Sequence, residues 1–213
     1  MNHKVHNIFS TPLFSHKNFI PQEYFFEIEQ EVKNAEYKPL HNGKDKVFMS
    51  TSKNFLKKLP SLKKKITETF KEYAYNTLSI DQSVEFVVGS SWSTMTSPNG
   101  ESTEHTHANY YYSGCYYITE NPSSINFFLG PYIYNYHERF LFNYKRLNQY
   151  NSNKISYVPE KNELIFFPSY VKHQIEKNES DKNRYSIAFN FHPSGIYGRE
   201  DSSIHVQVID DLD

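Results

Sequence analysis

Arg184-Tyr185-Ser186-Ile187-Ala188-Phe189-Asn190 is the stretch whose reading decides the fold. In a strand, alternate side chains point to opposite faces. Arg184, Ser186 and Ala188 then share one face, and Tyr185, Ile187 and Phe189 share the other. An apolar face backed by a face that carries an arginine describes a strand covered on both sides. A guanidinium turned into such an interior is costly unless an anion meets it. That anion is either a protein carboxylate or the carboxylate of a ligand, which the planar fork grips through two bonds.

The same texture extends upstream to Ser83. Short runs rich in β-branched and aromatic residues occur at Val84–Val88, Ser91–Thr96, Gly114–Ile118, Ile125–Leu129, Glu163–Phe167 and His173–Glu176. Pro98-Asn99-Gly100, Asn121-Pro122 and Gly130-Pro131 break them. Many short strands with no helix between them predict a sandwich or barrel rather than alternating α/β. The stretch between Pro131 and Pro159 is rich in Tyr and Asn and has no clear period. Long irregular insertions in compact folds are often lids.

The first third differs. Pro21 stands where a helix starts, and Phe25, Ile28, Val32 and Ala35 follow at helical spacing. A second helix is expected to start near Ser61 as its N-cap. Leu62, Ile66, Phe70, Tyr73 and Ala74 form its apolar face. Both stripes read as packing surfaces.

The 213 residues fit one domain, 17% of them are aromatic, and the net charge is -1. Such a chain can offset the entropy of ordering, and it does not advertise a nucleic-acid or anionic-membrane partner. The basic run Lys57, Lys58, Lys63, Lys64 and Lys65 reads as a solvated helix face. The lone cysteine, Cys115, suits a reducing compartment and reads as a buried, inert thiol. No secretory signal or membrane span is apparent, so a cytoplasmic location is expected.

Ten histidines are present. His16, His41 and His205 sit in polar surroundings and read as surface residues. Glu104-His105-Thr106-His107, if extended, places two imidazoles side by side. That arrangement suits a metal and equally suits a polar strand edge. His173 follows the apolar run Leu164-Ile165-Phe166-Phe167-Pro168-Ser169 and precedes Arg184 by eleven positions.

The order HxH, distal His, Arg-x-Ser resembles the 2-oxoglutarate/Fe(II) oxygenase superfamily. More narrowly, it resembles a group of oxygenases frequently encoded by tailed phages and marine bacteria. In that case the cytoplasm would be the host's. The matching segments are Ile8-Phe9-Ser10-Thr11-Pro12-Leu13, Ser91-Trp92-Ser93, His105-Thr106-His107-Ala108-Asn109 and Ser113 to Ile118. Phe167 to His173 and Arg184 to Asn190 complete the series. The resemblance covers about half the chain.

What the resemblance implies is a mainly β (α+β) fold, a double-stranded β-helix (jelly-roll, cupin-like) with N-terminal supporting helices. One oxygenase domain would fill residues 1-213: helical support and an N-terminal strand over 1-82, and the core over 83-193. An insertion or lid would occupy 131-159, and a C-terminal tail 194-213. The implied ligands of one Fe(II) are His105, His107 and His173. Arg184, Ser186 and Tyr117 would hold the distal carboxylate of 2-oxoglutarate, and Asn109 and Trp92 would contact substrate or cosubstrate. The implied reaction consumes 2-oxoglutarate and O2, releases succinate and CO2, and hydroxylates an unidentified substrate. The superfamily usually has Asp or Glu where this chain has His107. Two alternatives remain: a three-His cupin-type dioxygenase that does not use 2-oxoglutarate, and a non-catalytic metal-binding module.

Overall fold

A computed structural model describes residues 4–7, 10–120, 123–130 and 143–208. In chain order its main elements begin with β1 (Phe14–His16), α1 (Gln22–Lys33), β2 (Tyr37–Pro39) and β3 (Val47–Ser50). Next come α2 (Pro60–Asn76), β4 (Glu85–Thr96), β5 (Tyr112–Tyr117), β6 (Ile125–Phe128) and β7 (Lys154–Tyr157). The last are β8 (Leu164–Pro168), β9 (His173–Ile175), β10 (Arg184–Tyr197) and β11 (Ile204–Val206). A large sheet runs in the order β1-β8-β5-β10-β4-β3-β2, with β11 pairing β10, and a small sheet runs β7-β6-β9. The mainly β class with supporting helices is the one expected, and among the described residues no helix is long and apolar enough to cross a membrane.

The alternation in β10 fixes which side of the large sheet does what. Ile187 and Phe189 face the helices, and with Tyr116, Phe166, Phe191 and the buried stripes of α1 and α2 they form the larger core. Phe70 of α2 is its keystone: it stacks on Phe191 at 4.0 Å and meets Phe166 and Phe86 edge-on at 5.2 and 5.1 Å. Such tilted and offset pairs add to the burial of their area. Phe189 lies across Gly114, its partner on β5. A Cβ at Gly114 would stand 2.3 Å from the Phe189 ring, so only glycine admits that ring.

The opposite face is lined by a second cluster of Cys115, Tyr117, Ile165 and Phe167 from the large sheet. Ile125, Phe127 and Ile175 join it from the small one. This is the interior between the two sheets, and Arg184, Ser186 and Ala188 share its face of β10.

Several expectations need correction. The first third also contributes strands, since β2 and β3 extend the large sheet through β4. Ser61 is not the N-cap of α2: Pro60 occupies the first turn and Leu59 the cap position. Proline's fixed φ and missing N–H start the helix two residues earlier. The two runs around Gly89 form one strand, β4, whose register against β10 shifts between Asn190 and Phe191. β10 runs on past 193 to Tyr197 and pairs with β11, so the tail begins as ordered sheet. Of the expected insertion, 131–142 lie outside the described residues, whereas Lys154–Tyr157 is β7, paired to β6. Ile8 and Phe9 of the motif series also lie outside the described residues. Lys65 is more than a solvated charge, because its ammonium donates to the Phe19 carbonyl at 2.6 Å and lies 5.0 Å from the Phe19 ring. His16, His41 and His205 are exposed, as read.

Candidate metal centre and anion pocket

The HxH segment is not a regular strand. Residues 97–111 follow an irregular path in which only His105 makes a β-bridge, antiparallel to His173. The bridge is made from both sides: the His105 N–H donates to the His173 carbonyl at 3.0 Å, and the His173 N–H returns to His105 at 2.9 Å. The His107 N–H donates to the Ser169 carbonyl at 3.0 Å. Strand alternation therefore gave the right pairing of the two imidazoles, while backbone bonds to the 169–173 turn hold them there.

The three rings converge. Their centroids lie 4.3 Å apart for His105–His173 and 5.1 Å for each of the other two pairs. One ring nitrogen from each falls within 4.8 Å of the others, a group with the composition of a metal site. Two of the rings are oriented from behind. His105 Nδ1 meets the Thr103 carbonyl at 2.8 Å, and His173 Nδ1 meets the Val171 carbonyl at 2.9 Å. A carbonyl only accepts, so each Nδ1 carries a proton, which leaves Nε2 as the ring atom available to a metal. Such outer bonds commonly fix the tautomer of ligating histidines. His173 is buried, edge-on to Phe167 at 4.7 Å. Burial, then the neighbouring His105, pushes the His107 pKa down to about 4 and that of His173 to about 3, so both stand neutral and able to ligate. Trp92, on the strand next to β10, borders the cluster 5.8 Å from His107.

On β5 and β10, Tyr117 is the direct partner of Ser186, and Cys115 that of Ala188. Arg184, two residues before Ser186, is on the same face. Arg184 and Tyr117 are 4% and 3% exposed. Yet one guanidinium nitrogen of Arg184 and the Tyr117 hydroxyl are buried with no hydrogen-bond partner. Among the described residues no carboxylate forms an ion pair with Arg184, so the salt-bridge alternative finds no support there. Burial disfavours the charge on Arg184. Burial also pushes the Tyr117 hydroxyl and the Cys115 thiol up, so both are neutral donors. A fixed cation beside unmatched O–H and N–H donors suits a carboxylate.

Of the residues named from sequence, His105, His107, His173 and Trp92 come together at one place. Arg184, Ser186 and Tyr117 come together along the same inner face. Asn109 does not join either group: it is exposed in a turn, with φ 68°. Sequence reading missed the buried support beneath His107. There Ser169 and Ser113 share a hydroxyl bond at 2.8 Å, and Ser113 donates to Asn190 at 2.7 Å. Ser113 and Asn190 carry the alternation signal of the inner face, but nothing in the sequence pairs them with Ser169.

Residues 90–190 match the family model described as "Putative 2OG-Fe(II) oxygenase". That segment contains every site residue named above. No curated protein matches the sequence. Among solved structures, the chain is similar to an oxidoreductase of the 2OG-Fe(II) oxygenase family from Burkholderia pseudomallei. That match has a TM-score of 0.60 and 9% identity over 85% of this chain and 83% of that one. It is similar to a Pseudomonas putida prolyl-4-hydroxylase, with TM-score 0.54 and 11% identity over 85% and 92%. It is also similar to HygX from Streptomyces hygroscopicus, solved with nickel, 2-oxoglutarate and hygromycin B, with TM-score 0.56 and 8% identity over 85% and 82%. Likeness at these identities carries the fold, the double-stranded β-helix of such oxygenases.

Proposed function

We propose, on the match of residues 90–190 to the model of the 2OG-Fe(II) oxygenase family, that this protein is a dioxygenase that hydroxylates an organic substrate with Fe(II), 2-oxoglutarate and O2. Fe(II), when bound, supplies the O2 chemistry that turns 2-oxoglutarate into succinate and CO2 and inserts oxygen into a substrate C–H bond. The observation that carries this reading is the pairing of two features in one interior. Three imidazoles converge on the inner face that also carries a buried arginine and tyrosine whose polar atoms lack protein partners.

The chain's own residues then divide the work. His105 and His173 would hold the metal through Nε2 and His107 through a ring nitrogen, with the backbones of Thr103 and Val171 fixing two of the rings. Arg184 grips the far carboxylate of 2-oxoglutarate, and Ser186 and Tyr117 add hydroxyl donors to it. Because the Tyr117 hydroxyl keeps its proton, it donates rather than repels. Phe127 and Phe167 pack around His173 and exclude water from that side. Trp92 forms a wall beside His107.

Succinate release by the purified protein, given Fe(II), 2-oxoglutarate and O2 under reducing conditions, tests the reading. Succinate is expected even without the substrate, at a slow uncoupled rate, and is expected to vanish in His173→Ala. A protein that binds Fe(II) and consumes O2 but forms no succinate would sink the proposal. That result would favour a three-His dioxygenase, in which Arg184 has no evident task.

A further inference from the structure

The chain from Ser102 to His107 lines the outer side of β9 as a further edge of the small sheet. The N–H groups of Ser102, His105 and His107 donate to the carbonyls of Ile175, His173 and Ser169. A trans peptide sets its N–H and C=O in opposite directions, and among the described residues no peptide is cis. The N–H and carbonyl of His105 and the N–H of His107 point to β9 and the turn before it. The Glu104 carbonyl and both backbone groups of Thr106 therefore point the other way. Glu104, His105 and Thr106 are exposed, and among the described residues nothing bonds to those outward groups. The Glu104 side chain is engaged elsewhere, with Lys172 at 2.6 Å. Below this edge the inner face of the large sheet stays open. His107 stands 5.8 Å from Trp92, and Thr94 and Met49 continue outward in register with Ser186. All three floor residues are only half-buried, although they share the face of the buried Arg184.

We propose that the substrate is a polypeptide in extended form, bound as an added strand on the Glu104–Thr106 edge, with one side chain presented to the histidine cluster. The proposal rests on the oxygenase reading above. An extended main chain is the partner whose N–H and C=O groups repeat at the pitch of such an edge, and its bonds tolerate many sequences. Selection then falls to side chains. Direct partners across a ladder point to the same face, and the His105 ring points to the cluster. The residue opposite His105 is thus the one delivered for hydroxylation. Side chains two positions away on the same strand come down on the floor of Trp92, Thr94 and Met49, which carries no charge. Their immediate neighbours point outward to solvent. In the reaction, one atom of O2 enters a C–H bond of the delivered side chain as hydroxyl. The other leaves in succinate, with CO2.

The probe is a mixed-sequence library of acetylated, amidated heptapeptides, beside the same library methylated at its backbone nitrogens and the same residues as free amino acids. The methylated library keeps every side chain but donates no main-chain bond. Succinate release is measured with Fe(II), 2-oxoglutarate and O2, and the peptides are weighed for an added oxygen. The plain library is expected to raise succinate above the uncoupled rate and to gain oxygen. Free amino acids are expected to do neither. Loss of the main-chain bonds should raise the half-saturating peptide concentration about tenfold. Hydrogen exchange of the 103–107 amides under nitrogen reads binding without turnover, and the plain library alone should slow it. Uncoupled succinate that the plain library does not raise overturns the proposal and leaves the oxygenase reading standing. An equal response to the methylated library or to free amino acids overturns it too. No succinate under any condition refutes the oxygenase reading. Amide exchange then decides for the edge: protection by the plain library alone keeps it as a peptide-binding strand, and no protection removes it.

Discussion

His105 and His173, sixty-eight positions apart in the chain, exchange both of their backbone hydrogen bonds across an isolated bridge. The bridge puts their rings 4.3 Å apart. An imidazole from the irregular 97–111 segment is thereby registered against an imidazole at the start of β9 by the backbone alone. The site is preorganised by backbone pairing, which fixes side chains more tightly than a loop alone.

This arrangement predicts that histidine removal acts on the metal more than on the fold. His173→Ala and His107→Ala should each lose Mn(II) or Fe(II) binding by tenfold or more, since two remaining imidazoles leave an incomplete facial set. Metal stoichiometry after desalting in the presence of 2-oxoglutarate, beside circular dichroism, checks it. Full occupancy in His107→Ala would remove that residue from the ligand set.

Arg184→Lys should weaken 2-oxoglutarate binding while the variant stays folded. Lysine keeps the charge but loses the planar fork, and the loss is expected on the order of 1.5–3 kcal/mol, the range for hydrogen bonds to charged groups. Calorimetric titration of the Mn(II)-loaded variant measures it. Unchanged affinity would mean that Arg184 serves the fold.

Much of this was legible from residue types alone. The alternation of Arg184 through Asn190 gave the sheet's two faces, and the spacing of Leu62, Ile66, Phe70 and Tyr73 gave the face of α2, because both are local periodicities. What was not legible depends on partners distant in sequence. The HxH segment looked like a strand because its alternation is the same whether one residue pairs or four do. At α2 two start signals stand side by side, and the N-cap type Ser61 drew the reading away from Pro60, which sets the start as Pro21 does for α1. The Ser113–Ser169–Asn190 cluster exists only because β5, the turn after β8 and β10 meet. Asn109 failed as a site residue for a local reason: its left-handed φ makes it a turn former.

The buried imidazoles make the metal-free protein acid-sensitive. His107 and His173 have folded pKa values of about 4 and about 3, against about 6.5 when unfolded. Between those values the unfolded chain binds protons that the folded chain does not. Stability from these groups is therefore complete above about pH 6.5 and falls as pH drops towards 4 and then 3. Melting temperature of chelator-treated protein should decline over that window, and His107→Gln should decline less steeply. Identical slopes in the two proteins would count against burial of a neutral imidazole.

Gly114→Ala tests the packing that places the inner face. The added methyl meets the Phe189 ring and the Ile165 carbonyl, the latter at 2.9 Å, so either β5 or Phe189 must move. Overpacking of this kind costs about 1–3 kcal/mol. Denaturant titration should show that loss, and because Cys115 follows on the strand, 2-oxoglutarate affinity should fall as well. A variant as stable as the parent would mean that the ring relocates freely.

Reach and charge can be separated at position 107. His107→Asp restores the carboxylate common in related oxygenases, yet aspartate is shorter than histidine. Metal sites tolerate only about 0.2 Å of error before affinity suffers. The backbone here is pinned, because the His107 N–H is held by the Ser169 carbonyl and Ser169 is tied through Ser113 to Asn190. It is not free to advance and make up the difference. His107→Asp should therefore lose metal despite its favourable charge, whereas the longer His107→Glu should keep it. Mn(II) affinity and succinate release for both variants decide the matter. If His107→Asp binds metal as tightly as the parent and turns over faster, the pocket is already shaped for a carboxylate, and the view that it is built around three imidazoles is wrong.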